Sequence, residues 1–140
     1  MGIVAQAPRG GLREVLAGRS HPMLLSGAEI ERFEDAHRGL FDIFDAHYTK
    51  GAHDLRRVTV GEARDLVALG LVGAGMLDAE ADAFVASLSA GDNLRVRSIA
   101  LALIGAAFAP DWIDADDGDA SEDGEKKNDS PAAPGTSDAL

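Results

Sequence analysis

The sequence predicts an α+β fold that is mainly α: a short N-terminal β-hairpin, four or five packed helices, then a disordered acidic tail. Three observations carry this reading. Large apolar residues recur at steps of three and four from Ile30 to Phe108, the spacing of a helix face. Ser26-Gly27-Ala28-Glu29 and Thr59-Val60-Gly61-Glu62 are capping boxes that mark helix starts. Composition breaks at Pro110: of the net charge of −11, residues 111–140 hold −8, with ten acidic residues against Lys126 and Lys127. The expected organisation is a flexible N-terminus (1–11), one domain (12–113) and an acidic tail (114–140) whose low hydrophobicity and high charge leave little to bury. A segment of about 110 residues is enough for one core.

Pro8, Gly10 and Gly11 punctuate the N-terminus. Residues 12–17 and 20–25 read as two strands turning at Gly18-Arg19, where Gly18 can supply a positive φ. Pro22 cannot donate to a ladder, so its strand is an edge or begins after it. From the first capping box, Ile30, Phe33, His37, Leu40, Phe41, Phe44 and Tyr48 follow helical spacing. Gly39 interrupts that run at about 1 kcal/mol relative to Ala, which predicts a break between two short helices. Residues 49–58 form a polar connection. The second capping box opens a helix with Ala63, Leu66, Val67, Gly70, Leu71 and Ala74 on one face, and Gly70 and Gly73 would let another helix come close. Asp78 is expected to cap a helix carrying Ala81, Phe84, Val85 and Leu88. Gly91 closes it, and Asp92 opens the last helix, whose apolar series reads Leu94, Val96, Ile99, Ala100, Leu103, Ala107 and Phe108. Pro110 stops it.

Several function classes find no support. Cysteine is absent, which removes disulfides and thiolate metal sites and suits a reducing compartment. The N-terminus lacks the pattern of a signal peptide. The most apolar runs, 66–76 and 99–109, reach about half the ~20 residues of a membrane span. The acidic balance disfavours nucleic acid, whose binding rests on Lys and Arg at phosphates. The glycines at 70, 73 and 75 follow no strand and precede no Lys-Ser/Thr, so no phosphate loop is expected. His37, His47 and His53 lack ligand spacing, so no metal site is expected. No serine has a nucleophile-elbow context, and no carboxylate is marked as a catalytic acid or base. The chain reads as a non-enzyme without catalytic residues, cofactor or metal.

What remains is a protein-binding surface. The stripe Phe33, Phe41, Phe44 and Tyr48 is core by default, but in so small a domain part of it can face a partner helix. Trp112 opens the tail beside Ile113, and either folds back on the core, the preferred reading, or anchors a partner. Phe33, Phe41, Phe44, Tyr48 and Trp112 are thus the candidate partner-binding residues.

The order of features resembles the gene-transfer-agent and siphophage tail protein family. The resemblance rests on Pro8-Arg9-Gly10, on residues 13–18 (REVLAG) and 24–36 (LLSGAEIERFEDA), on residues 66–75 (LVALGLVGAG) and on 102–108 (ALIGAAF). It spans roughly residues 9–109. It implies a tail assembly chaperone in the bacterial cytoplasm that binds a tape-measure protein and helps tail-tube subunits assemble around it, with no catalytic residues. A structural tail-tube or tail-completion subunit is the first alternative, disfavoured because finished tubes are mostly β-sheet. The second is a regulatory or inhibitory module acting through its acidic tail. Self-association as a homo-oligomer stays open. Among siphophage chaperones a slippery codon tract near the gene's end is common, and in a GC-rich genome the codons for Glu125-Lys126-Lys127-Asn128 would be the A-rich place for one.

Overall fold

The computed structural model describes residues 10–49 and 56–111. Residues 1–9 of the expected flexible N-terminus, most of the 49–58 connection including His53, Trp112 and the tail lie outside the described residues. Within them the expected architecture holds. A two-stranded antiparallel hairpin, β1 (Leu12–Leu16) and β2 (Arg19–Met23), precedes α1 (Gly27–Ala36), α2 (Leu40–Tyr48), α3 (Val60–Gly73), α4 (Asp78–Ala86) and α5 (Asn93–Phe108).

The turn lies one residue earlier than its expected Gly18-Arg19. Ala17 and Gly18 are its central residues, with φ of 55° and 78°, and Leu16 pairs with Arg19. Positive φ at both positions is the twist that suits a two-residue hairpin. Hydrogen-bonded pairs alternate away from such a turn, so Pro22, opposite Arg13, falls where no N–H is required. Proline is therefore accommodated inside β2. The same alternation turns His21 and Met23 inward.

Both capping boxes form. The Ser26 amide donates to Glu29 Oε1 at 3.2 Å. The Thr59 amide donates to Glu62 Oε1 at 2.9 Å, and the Glu62 amide returns a bond to Thr59 Oγ1 at 3.1 Å. The chain breaks at Gly39 as expected, and the Leu40 amide donates to Glu34 Oε2 at 2.8 Å across the break. Asp78 is not the cap of α4. Leu77 takes that position, and Asp78, one residue on, pairs with Arg32 at 3.2 Å. Asp92 is the N-cap residue of α5, as expected. It ends a 3-10 turn (Ala90–Asp92) and closes a third capping box with Ser89.

Helix α3 is the centre of the packing and touches α1, α4, α5 and β2. Its buried Leu66, Val67 and Leu71 meet Met23 from the hairpin, Phe33 from α1, and Ile99 and Leu103 from α5 in one core cluster. Burying side chains of this size stabilises by about 1.5–3 kcal/mol each. A Cβ at Gly70 would come within 2.8 Å of Leu103 Cδ1, so α5 does approach α3 there. At Gly73 the close neighbour is not a helix: a Cβ would collide with the Leu24 carbonyl. Leu24 also donates its amide to the Gly70 carbonyl at 2.9 Å. The strap between β2 and α1 is thus seated on the glycine side of α3.

Three arginines tie the elements together. Arg38 donates from Nε to Glu62 Oε2 at 2.9 Å and from Nη2 to the Arg57 carbonyl at 3.0 Å. Arg64 donates to the carbonyls of Val85, Leu88 and Ser89 and to Asn93 Oδ1, closing the end of α4 against α3. Arg95 donates to the Val15 carbonyl and pairs with Glu14 at 2.8 Å, holding the hairpin to α5.

Candidate functional site

The sequence places Phe33, Phe41, Phe44 and Tyr48 on one stripe, and the structure divides them. Phe33 is 0 % exposed and belongs to the core, so it is corrected from a partner-binding residue to a packing residue. Its ring stacks on His37 at 4.6 Å. Because Gly39 breaks the helix, α2 starts with a new phase. Leu40, Ile43 and Ala46 become its buried face, and Phe41 is left 69 % exposed. Trp112 lies outside the described residues.

Phe41, Phe44 and Tyr48 gather with a residue from the apolar series of α5, Phe108. Phe108 lies 5.0 Å from Phe41 and 5.3 Å from Phe44, and Phe44 lies 4.9 Å from Tyr48, measured between ring centroids. Phe41 is exposed and Tyr48 is 38 % exposed. Tyr48 is fixed from below: its hydroxyl donates to the Leu101 carbonyl at 3.0 Å, and Gly105 leaves the space its ring occupies. Burial pushes the Tyr48 phenol pKa up. The result is an aromatic patch on the seam where α2 runs antiparallel to α5.

At the other end of that seam is a cleft of about 460 Å³. Ile43, Ala46, Val58 and Leu101 line it with apolar groups, and His47, Arg57, Arg97 and Ser98 with polar ones. Neither Arg57 nor Arg97 has an ion-pair partner for its guanidinium among the described residues. Burial, with the Arg57 and Arg97 charges, holds the His47 pKa below its ordinary value. A groove of about 130 Å³ continues past Arg97 between Val58, Val60 and Leu94. Leu94 belongs to the apolar series of α5 but is 70 % exposed, since it lies about 200° around the helix from Val96.

A smaller recess of about 200 Å³ lies between α1, α3 and α4. It holds His37 Nε2 2.6 Å from Asp65 Oδ2, and Arg32 beside Asp78. The His37–Asp65 pair links the C-terminal end of α1 to α3. His21 is a further site that histidine spacing did not reveal, although strand alternation could have. It is buried beside Phe84 with ring centroids 4.8 Å apart, and its Nε2 has no hydrogen-bond partner. Burial, then the Arg19 charge, lowers its pKa, consistent with a neutral ring in the core.

Among the described residues no group of three His, Asp or Glu side chains could hold a metal, and no helix is long and apolar enough to cross a membrane. Among the described residues, the aromatic patch and the basic cleft on the α2–α5 seam are the candidate binding surfaces. No protein-family profile matches the chain, and no curated protein or solved structure shows significant similarity to it.

Proposed function

We propose that this chain is a tail assembly chaperone that acts without catalysis in the bacterial cytoplasm, covering apolar stripes of a helical tape-measure protein while tail-tube subunits assemble. The observation that supports it most is the aromatic cluster in which exposed Phe41 and Tyr48 rest on half-buried Phe44 and Phe108. Rigid aromatic side chains on a helical seam suit the helix-in-groove mode of recognition. A long tape-measure helix with apolar stripes would aggregate if left bare, and an acidic chain bound along it would keep it dispersed by charge repulsion.

The test begins with the neighbouring genes, one of which should encode a long helical tape-measure protein, and continues with co-expression of that protein. The wild-type chain should keep that protein in the soluble fraction and elute with it, and Phe41→Asp should abolish both effects. Purified tail particles should lack the chain by mass spectrometry. A tape-measure protein that never binds the wild-type chain, or particles that retain the chain in stoichiometric amount, would refute the reading; the second result would favour a structural subunit.

A further inference from the structure

The cleft at Arg57 and Arg97 is an anomaly in an acidic molecule. Residues 1–110 carry a net charge of −3, yet two guanidiniums flank His47 over an apolar floor, and among the described residues no carboxylate lines the cleft. Such a cleft suits a chain of carboxylates with small or apolar residues between them. The sequence contains one: Asp114-Ala115-Asp116-Asp117-Gly118-Asp119 carries four carboxylates in six residues.

Geometry makes this segment the nearest candidate. α5 ends at Phe108, and Arg97 lies eleven residues back along the same helix. That separation is about 17 Å at 1.5 Å per residue. Pro110 and Asp111 are helical, so an extended chain can turn back only after Asp111; it covers that distance in roughly five or six residues and reaches Arg97 near Asp116 or Asp117. A tether this short gives the acidic segment an effective concentration in the millimolar range, so even a weak attraction is populated.

We propose that the cleft between α2 and α5 is a carboxylate-binding site whose occupant is the chain's own acidic segment, residues 114–119. Arg57 and Arg97 neutralise its carboxylates, Ser98 offers a hydroxyl donor, and the apolar floor receives Ala115 and the Cα of Gly118. The inference does not depend on the chaperone reading, because the occupant is part of the same chain.

The absence of native cysteine permits a clean test on the full-length protein. Ala120→Cys carries a nitroxide label, and amide peak intensities are compared between its oxidised and reduced forms. Amides of His47, Arg97, Ser98 and Leu101 should fall to less than half their reduced-form intensity, and those of Asp82 and Ala83 on α4 should be unaffected. Arg57→Glu with Arg97→Glu should restore the lost intensity, with unchanged far-ultraviolet circular dichroism as the check on folding. Raising salt from about 50 mM to about 500 mM should do the same without substitution, because screening shortens the reach of the charges. Equal broadening over α4 and the seam, or broadening that ignores both the charge reversal and salt, overturns the proposal. So does broadening that persists undiminished when labelled chain is mixed with isotopically labelled, nitroxide-free chain, since the occupant would then be a second copy.

Discussion

α3 and the α2–α5 seam are built from similar residues and do opposite things. α3 is covered by neighbours along its length, and its glycines admit the Leu24 backbone and the Leu103 side chain. The seam also uses a glycine, Gly105, to admit Tyr48. There the admitted ring is held at its hydroxyl and stays partly exposed, with Phe41 and Phe108 beside it. One region closes a core, and the other holds aromatic side chains rigid at the surface. The difference shows that a helical aromatic stripe has no fixed meaning until the helices on either side of it are placed.

The comparison can be broken most severely at Gly73. Gly73→Ala drives a methyl into the Leu24 carbonyl, which cannot rotate away as a side chain would. A loss of about 3 kcal/mol is expected, the upper end of overpacking costs, read as a lower urea midpoint. An unchanged midpoint would mean that the strap does not sit on α3 as described.

Arg38→Met should cost about 2 kcal/mol at neutral pH, because it leaves the Glu62 carboxylate buried with weaker compensation. This loss carries a pH signature. Burial alone would raise the Glu62 pKa, but the hydrogen bonds from Arg38 and the Thr59 amide, with the Arg38 and Arg56 charges, lower it overall. A carboxyl depressed in the folded state stabilises above its unfolded value and loses that contribution as pH falls through the folded one. The gap between wild type and variant should therefore narrow below about pH 4.3, the ordinary glutamate value. Urea melts at neutral and acidic pH measure this, and a gap that stays constant would assign Arg38 a packing role only.

The smallest effect belongs to the seam. Phe41→Ser removes a mostly exposed ring and should shift stability by no more than about 0.5 kcal/mol, as for surface sites generally. A loss several times larger would make the aromatic patch part of the core and erase the contrast with α3. Wild-type stability combined with lost binding of a helical partner would sharpen it.

Much of this was legible in the sequence because its causes are local. A capping box needs four consecutive residues, so Ser26–Glu29 and Thr59–Glu62 announce α1 and α3 without help from the rest of the chain. The break at Gly39 and the end of α5 before Pro110 follow from backbone propensity in the same way. The buried face of α3 follows from its periodicity. The hairpin was legible as an element, but its turn was misplaced by one residue, since Ala17 at positive φ is not a residue that sequence reasoning selects.

The sequence by itself determined the element order, the helix starts and the division between a foldable part and an acidic end, because each depends on neighbouring residues or on composition. Only the tertiary structure decided which aromatics are core and which are surface. Phe33 and Phe41 share a spacing but lie on different helices, and Phe108 joins Phe41 across 67 residues of chain. The same holds for Arg57 and Arg97, which converge on one cleft from separate elements, and for Gly73, whose neighbour is a backbone carbonyl from the hairpin strap. Helical periodicity specifies a face, but burial of that face depends on what packs against it, and that partner comes from elsewhere in the chain.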